Sequence, residues 1–560
     1  MSDLANPERM PFGIEGLDHL FEGGLIRGNS LLIEGPPGSG KTTFAIRAVY
    51  EGIVRYDEPG LIITFEEFPK QIYQEALGYG VDLAALERAG KLRVVWTPPS
   101  RVLEGFSGKT DLLEKIIKDL GVRRLVIDSI THFKRVAHDE VRLRETLAEI
   151  FNWIKLKGIN SFLVKELERI DDQTIAFEEY LVDASMRVYN TPAATGGENV
   201  RFVEIRKTRG QAHVSGRHPF RLASDGIRVY PTLRPHDVRT KDADGAAPRV
   251  KVAVGVPGAD PMLDGGVWNG SLNLLLGPPG TGKSVFSYHF LDTGLRAGEP
   301  CLLVTLRQGP DEILESVRSL GMDWTEAVRT GQLEIFRQIP VGISLEQVLY
   351  SVHERVRDRH PGRLVIDSLD DLWGLVRDDD RIRDALLVLG EMARSHGATT
   401  FCLHEQRSRS GAAEGRSDYA DLASCVIQLT LVETGGELHR FLGIRKMAGA
   451  DHAKELREFS IGPKGFRVAR KPTGLSGILS GDTRGNLNEV ADTVIPYLDE
   501  IARHLASLDD ESLPPERRDP VRAARSRLAS IDVLLREHFG ITNFRELAEE
   551  LKAQLESSAK

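Results

Sequence analysis

Cysteine is scarce in this chain, which has only three among its 560 residues: Cys301, Cys402 and Cys425. None of them belongs to a Cys-x-x-Cys pair, the spacing that supplies ligands to zinc ribbons and fingers, so we expect no zinc module. A small and odd number of cysteines is also typical of proteins that work in a reducing compartment. We therefore expect a cytoplasmic protein.

Long apolar runs and a surplus of basic residues are also absent. Residues 1–10 are polar and lack the apolar core of a signal peptide, and no run approaches the roughly 20 residues that a membrane helix needs. The formal net charge is -9, whereas a constitutive nucleic-acid binder usually has a basic face. From these absences we expect a soluble protein without a membrane span. The charge also argues against a nucleic-acid partner, although a locally basic pore would be compatible with it.

The chain does contain a long internal repeat. Three landmarks return at nearly one offset, which is 242 residues between Lys41 and Lys283 and 239 residues for the other two. The paired segments are residues 35–42 and 277–284, 124–129 and 363–368, and 205–207 and 444–446. Because separated landmarks return together, the pattern indicates a duplicated domain.

Each copy contains a glycine-rich loop that follows an apolar strand pattern and precedes a helix pattern, the context of a P-loop. Glycines let backbone N–H groups surround phosphates without a Cβ clash, and the helix N-terminus adds partial positive charge. Lys41 and Lys283 are predicted to reach the β- and γ-phosphates, and Lys41 is also predicted as a catalytic residue. The predicted ATP-binding residues are Gly35, Gly38, Ser39, Gly40, Lys41, Thr42 and Thr43 in the first copy and Gly277, Gly280, Thr281, Gly282, Lys283 and Ser284 in the second.

An apolar strand pattern that ends in aspartate follows each loop. Asp128 and Asp367 stand 87 and 84 residues after the loop lysines of their copies. An acid at such a strand end holds magnesium through water, and the hydroxyl after the loop lysine binds the same ion. We therefore predict ATP and Mg²⁺ as cofactors, with these metal ligands: Thr42, Asp128, Ser284 and Asp367.

A further strand pattern in the first copy, residues 61–65, ends in Glu66 and Glu67. Hydrolysis of ATP needs a base that orients a water molecule toward the γ-phosphate. A carboxylate at the carboxyl end of a strand beside the P-loop strand is well placed for this. We predict both glutamates as catalytic residues. The matching strand of the second copy ends in Arg307 and Gln308, so we expect no such base there.

These motifs together resemble the KaiC family, double-ring RecA-like ATPases related to a circadian clock protein, from about residue 10 to residue 485. The most specific segments are residues 64–67, 168–170 and 204–210. The resemblance implies two tandem RecA-like α/β P-loop domains, each a mostly parallel sheet flanked by helices. It implies a homo-oligomer, a hexamer with ATP between subunits, and a KaiB-like or other signalling protein as partner.

The resemblance also assigns roles to basic residues near the end of each copy. It implies that Lys207 and Arg209 are catalytic residues that reach the γ-phosphate of a neighbouring subunit's ATP, where they offset transition-state charge. It implies that Lys446 binds ATP in the second copy. In the second copy, Ala448 stands at the position that corresponds to Arg209.

The second copy departs from the family pattern elsewhere too. Ala420 and Asp421 align with the family's adjacent Ser-Thr phosphoacceptors, while Ser417 and Ser424 lie nearby. With the strand-end glutamates also replaced, we expect this copy to bind ATP but to hydrolyse it poorly and not to phosphorylate itself. Asp421 would then mimic a phosphorylated acceptor, although it has less charge than a phosphate.

The pattern divides the chain into residues 1–235, a linker at 236–250, a second domain at 251–485 and a helical extension at 486–560. Apolar residues at heptad spacing indicate the helices of the extension. Two interpretations remain open for it: a small bundle packed on its own domain, or a coiled coil that joins subunits or stacks rings.

Four functions remain open. The leading hypothesis is a KaiC-like ATPase whose conformational state controls a protein partner. The alternatives are an autophosphorylating serine/threonine kinase, a RecA- or DnaB-like nucleic-acid motor, and a scaffold that binds ATP without hydrolysis.

Overall fold

A computed structural model describes residues 7–106, 112–135, 140–167, 177–192, 199–240, 250–376, 378–405, 419–434, 437–469, 475–476, 484–485 and 522. Residues 168–170, Ser417 and the predicted helices of the extension, apart from residue 522, lie outside these ranges. Within them, no helix is long and apolar enough to cross a membrane.

The first copy folds around a sheet with the strand order β11-β10-β9-β8-β3-β7-β6-β4-β5. Its strands, with the short β1–β2 ribbon that precedes them, are β1 (Arg9–Met10), β2 (Leu25–Ile26), β3 (Ser30–Gly35), β4 (Gly60–Thr64), β5 (Leu92–Trp96), β6 (Arg124–Asp128), β7 (Asn160–Glu166), β8 (Ala184–Pro192), β9 (Asn199–Thr208), β10 (Arg217–Ala223) and β11 (Gly226–Val229). Its helices are α1 (Leu17–Leu20), α2 (Lys41–Tyr56), α3 (Pro69–Leu77), α4 (Leu83–Arg88), α5 (Pro99–Phe106), α6 (Leu112–Leu120), α7 (Glu140–Leu156) and α8 (Phe177–Leu181), with 3-10 turns at Ile130–Arg135 and Pro235–Val238.

The second copy repeats this arrangement with the strand order β16-β15-β17-β18-β14-β19-β20-β21-β22. Its strands and two small ribbons are β12 (Lys251–Val252), β13 (Val267–Trp268), β14 (Leu272–Gly277), β15 (Cys301–Thr305), β16 (Leu333–Arg337), β17 (Arg363–Asp367), β18 (Thr399–Glu405), β19 (Cys425–Thr434), β20 (Glu437–Met447), β21 (Arg457–Gly462), β22 (Gly465–Val468), β23 (Leu475–Ser476) and β24 (Arg484–Gly485). Its helices are α9 (Lys283–Arg296), α10 (Pro310–Ser319), α11 (Thr325–Arg329), α12 (Leu345–Arg359), α13 (Leu369–Val376) and α14 (Asp379–His396), with a 3-10 turn at Asp260–Leu263.

The two sheets confirm the predicted tandem α/β fold. In each of them the P-loop strand lies among parallel neighbours, and antiparallel strands extend one side. Strand β3 shows why its sequence is apolar throughout: Leu31 and Ile33 join the hydrophobic cluster under α2, while Leu32 joins the cluster under α7. Parallel strands that are covered on both faces need such continuous apolar runs.

The arginine that opens the repeated Arg-Leu-Val-Ile-Asp-Ser segment ties a helix to the sheet in each copy. Arg124 is fully buried; its Nε lies 2.6 Å from Glu58 and its Nη1 donates to the carbonyl of Ala48 at 2.6 Å. A Cβ atom on Gly52 of α2 would stand 2.1 Å from this Nε atom. The close approach of helix and arginine therefore requires glycine at this position.

One expectation about the sheet is wrong. The strand that ends before Glu66 was expected beside the P-loop strand, but β7 and β6 separate β4 from β3. Both intervening strands are apolar and parallel to β3, so an apolar pattern alone does not reveal the order in which crossover helices place them. The carboxyl end of β4 still lies at the same edge of the sheet as the P-loop.

The two copies contact each other through charged and aromatic side chains. Arg228 on β11 lies 2.8 Å from Glu15 of the first copy and donates to Glu354 of α12 at 2.5 Å. The rings of Tyr230 and Tyr350 meet edge to face, with centroids 6.3 Å apart. These contacts join the outer strand β11 of the first copy and the residue after it to α12 of the second.

Candidate nucleotide sites

The glycine-rich loops confirm the predicted strand–loop–helix arrangement. Helix α2 begins at Lys41 directly after Gly40, whose φ of 103° is a left-handed conformation that favours glycine. Helix α9 begins at Lys283 after Gly282, with a φ of 98°. We call the loop around Lys41 the first site and the loop around Lys283 the second site.

Both lysines fold back over their loops. Lys41 Nζ donates to the carbonyl of Pro36 at 2.8 Å, and Lys283 Nζ donates to those of Gly277 at 2.8 Å and Pro278 at 3.0 Å. Burial lowers the pKa of each lysine, and nearby carboxylates oppose this shift. A partly desolvated ammonium group gains free energy from an anion, so these loops fit a bound phosphate.

A hydroxyl–carboxylate pair lies beside each lysine. Thr42 donates from Oγ1 to Asp128 at 2.7 Å, and Ser284 donates from Oγ to Asp367 at 2.6 Å. Burial raises the pKa of each aspartate, whereas the hydroxyl and the lysine lower it. Oxygen donors of this kind fit magnesium, which prefers one or two protein ligands, waters and substrate phosphates.

Thr42 and Thr43 also line a cavity of about 410 Å³ between the start of α2 and the end of α3. Arg47 and Tyr79 contribute to its wall. Its volume lies within the range of small-ligand pockets.

Glu66 follows β4 and contacts a histidine that the sequence interpretation overlooked. His132, on the 3-10 turn after β6, has its Nε2 atom 3.0 Å from Glu66 Oε1. The His132 side chain is 9% exposed and that of Glu66 is 65% exposed. A buried imidazole therefore fixes a carboxylate that projects into solvent at the edge of the site.

Glu67 lies next to this pair in an acidic environment. Burial raises the pKa of its carboxyl group, and the neighbouring acids Glu75, Asp128 and Glu66 raise it further. A carboxylate with a raised pKa is a stronger proton acceptor near neutral pH.

The second site has an equivalent pair, in which a cation replaces the carboxylate after the outer strand and a carboxylate replaces the imidazole after the aspartate strand. Arg307 follows β15, and its Nε lies 2.7 Å from Asp371 Oδ1 on α13. Asp371 is 9% exposed and Arg307 is 70% exposed. The register of the sheets establishes the equivalence, because Thr64 pairs with Asp128 in one sheet and Thr305 with Asp367 in the other. The members of each side-chain pair follow these threonines and aspartates at the same sequence spacing in both copies.

Two other acidic residues near Lys283 were not foreseen. Asp370 on α13 is buried; it accepts the backbone N–H of Glu405 at 2.6 Å and lies 3.3 Å from the Nδ1 atom of His404. Glu405 and Asp370 both act electrostatically on Lys283. In the first copy Thr131 Oγ1 occupies the corresponding place and accepts the N–H of Glu166.

Lys207 and Arg209 lie at the opposite edge of the first sheet from the P-loop. Residue 208 pairs with Ala184, which pairs with Leu31 near the start of β3. Lys207 Nζ donates to the carbonyls of α8 and the turn after it, including that of Val182 at 2.9 Å, and Arg209 donates to that of Tyr180 at 2.6 Å. These two residues are not part of their own chain's first site.

The corresponding region of the second copy holds the expected phosphoacceptor positions. Lys446 Nζ donates to the carbonyls of Ala420 at 2.9 Å and Asp421 at 3.1 Å. Asp421 pairs with Arg383 of α14, and the N–H of Ser424 donates to the carbonyl of Leu272 at 2.8 Å. The Asp421 carboxylate is therefore held within its own chain.

Comparisons with known proteins agree with this architecture. A family model described as "ATPase: KaiC" matches residues 10–234 and 252–473. A protein named "Circadian clock oscillator protein KaiC" from Parathermosynechococcus lividus is 30% identical over 525 residues, which cover 92% of this chain and 94% of that relative. The protein of the same name from Synechococcus elongatus is 31% identical over 489 residues, which cover 85% of this chain and 92% of the relative.

Proposed function

This chain belongs to the KaiC family of ATPases, and we propose that its two sites divide the work of that family. The first site hydrolyses ATP, while the second binds ATP with little or no turnover and no autophosphorylation. One observation carries the proposal: acids follow the strand at the edge of the first site, whereas Arg307 and Gln308 follow the same strand at the second.

In the first site, the position of each described side chain suits a particular role in ATP hydrolysis. Magnesium, held by Thr42 and Asp128, would supply charge neutralisation at the terminal phosphates. Lys41 binds these phosphates from the loop. Glu66, fixed by His132, and the neighbouring Glu67 orient the attacking water and accept its proton.

In the second site the binding groups are retained. Lys283, Ser284 and Asp367 have the same arrangement as their counterparts. Carboxylates are present there as well. Asp371 is engaged by Arg307 and Asp370 by a backbone N–H, while Glu405 has the register position that Glu166 has in the first copy, so it does not distinguish the two sites. We infer that this site holds ATP and stabilises the assembly.

The position of the basic residues at the end of β9 supports assembly into a ring, as the resemblance implies. Lys207 and Arg209 lie away from their own P-loop, so contact with a γ-phosphate requires a neighbouring subunit. We propose a hexamer in which these residues complete the adjacent first site and Lys446 approaches the adjacent second site. The proposed domain bounds remain residues 1–235, 251–485 and 486–560.

The proposed output is conformational. Arg228 joins the two copies through Glu15 and Glu354, so turnover in the first site has a path to the second. A KaiB-like or other signalling protein would read the state of the ring.

Phosphate release from full-length variants tests the division. Lys41→Ala, or Glu66→Gln together with Glu67→Gln, should abolish turnover, because binding or the base is lost. Lys283→Ala is the matched control: it should leave turnover per assembled ring intact and lower the assembled fraction measured by light scattering. Turnover that survives in the double glutamine variant would contradict the role of the glutamates.

Two further measurements separate the parts of the proposal. Mixing inactive Lys41→Ala chains with inactive Arg209→Ala chains should restore phosphate release, because some interfaces then contain an intact lysine and an intact arginine. No recovery in mixed rings would refute action between subunits. Incubation with γ-labelled ATP tests autophosphorylation, and label on Ser417 or Ser424 would contradict the role proposed for the second site.

A further inference from the structure

We propose that Arg307 binds the terminal phosphate of ATP in the second site and that Asp371 positions its guanidinium group for this contact. The inference rests on the proposed function of that site, which is to bind ATP and hold it. It adds a residue that would distinguish ATP from ADP.

The first argument is that both members of the pair are replaced together in the second copy. In both copies the member after the outer strand is largely exposed, at 65% for Glu66 and 70% for Arg307, and the member after the aspartate strand is 9% exposed. The hydroxyl of Thr305 donates to the carbonyl of Gln308 at 3.3 Å, as that of Thr64 does to Glu67 at 3.2 Å. The backbone thus presents a cation where the first site presents a carboxylate.

The second argument is the way in which the guanidinium group is held. Asp371 accepts from the Nε atom of Arg307 and also from the hydroxyl of Ser368 at 3.0 Å. Arg337 donates to the Arg307 carbonyl at 3.2 Å. Among the residues that the structure describes, no hydrogen bond from the Nη atoms of Arg307 is found, and the side chain is 70% exposed, so these two groups can donate to a ligand.

The third argument is the surrounding charge. Asp367, Asp370 and Glu405 all interact electrostatically with Lys283, and Arg307 acts electrostatically on Asp367. These carboxylates would repel a triphosphate. Arg307 supplies an additional positive charge at the side where the chain leaves β15.

The chemistry of guanidinium suits this task. Its planar N–H groups can bind two phosphate oxygens at once, and charge-assisted hydrogen bonds of this kind are about twice as strong as neutral ones. ADP lacks the phosphate that would receive them. A guanidinium group cannot accept a proton from water, so the contact favours retention of ATP over hydrolysis.

Nucleotide titration of the full chain tests the inference. The Lys41→Ala chain leaves only the second site, and calorimetry with magnesium gives the dissociation constants of ADP and of the β,γ-imido analogue of ATP. We expect Arg307→Gln to lower the preference for the triphosphate about tenfold, equivalent to about 1.4 kcal/mol, with ADP affinity unchanged. Asp371→Asn should produce a smaller loss of the same preference, because the guanidinium group remains but is no longer held.

Arg329→Gln is the matched control. Arg329 is 72% exposed and pairs with Glu326 on the same short helix, so its loss should leave both affinities unchanged. If Arg307→Gln weakens both nucleotides equally, or neither, the inference is overturned while the proposed function stands. If the Lys41→Ala chain binds no nucleotide, the proposed function of the second site fails and the inference fails with it.

Discussion

Replacing Arg187 by glutamine should destabilise the first copy strongly, and the uncharged pair at the same positions of the second copy suggests a compensating substitution. Arg187 on β8 and Glu34 on β3 are register partners; Nη2 of the arginine lies 2.5 Å from Oε1 of the glutamate. Their side chains are 5% and 1% exposed. At the same register positions the second copy pairs Leu276 with Gln428, so the same fold accommodates either an ion pair or an uncharged pair there.

The magnitude follows from the burial of the pair. Removing one partner of a buried ion pair costs about 3–5 kcal/mol, because the remaining charge is left without compensation. For a unit of 150–250 residues this corresponds to a fall of roughly 6–20 °C in the unfolding midpoint. Adding Glu34→Leu to Arg187→Gln introduces the residues that the second copy has at these positions. This double variant should have an unfolding midpoint within about 4 °C of the parent, because replacing a buried ion pair by uncharged residues is often neutral.

The loss should also depend on pH. Burial raises the pKa of Glu34 even with Arg187 present, and loss of the arginine should raise it further. A pKa that is raised in the folded state destabilises the fold once pH exceeds the unfolded value. The deficit of Arg187→Gln relative to the double variant should therefore be large at pH 8 and should shrink toward pH 5.

Calorimetry of the full chain gives the midpoints, and hydrogen exchange of the peptide that contains β3 assigns the change to the first copy. Both measurements are needed because a chain with two such units need not unfold in one step. The reasoning is refuted if Arg187→Gln is as stable as the double variant at pH 8, or if its deficit does not depend on pH.

Two further outcomes follow from the comparison of the copies. In a chain whose first site is disabled, Arg307→Glu, Gln308→Glu and Asp371→His together should raise phosphate release at least about tenfold, because they rebuild the carboxylates and their imidazole support; no gain would mean that the strand-end acids do not suffice. Gly52→Ala should lower the free energy of unfolding by about 1–3 kcal/mol, since its Cβ would collide with a buried guanidinium group, whereas Gly374→Ala, whose Cβ meets open space, should cause no loss in the same denaturant titration.

The fold could be predicted largely because its determinants are local. The glycine loops, the apolar strands before them and the aspartates at strand ends are short segments whose chemistry restricts their conformation, and their recurrence indicated the duplication. The order of strands in the sheet could not be obtained in the same way. Strand β4 has the same apolar character whether it lies next to β3 or is separated from it by two other strands, so only the packed sheet decides its neighbours.

The candidate sites were predictable in part for the same reason. Thr42 and Asp128 belong to motifs with known spacing, and the structure brings them within hydrogen-bond distance. His132 and Asp371 belong to no motif. Each is defined by a contact with a residue more than 60 positions earlier in the chain, so recognising either of them requires the register of the sheet.

The inverted pairs explain how one scaffold can have two opposite electrostatic characters at the same edge without losing its local structure. A single change from Glu66 to arginine would place a guanidinium group against His132, and a single change of His132 to aspartate would oppose two carboxylates. Exchanging both members keeps an attractive contact between the outer strand's end and the turn after the aspartate strand. This contact therefore fixes the loop whether a carboxylate or a guanidinium group faces the phosphate. For this reason the second copy can lack the base and still retain the structure of the site.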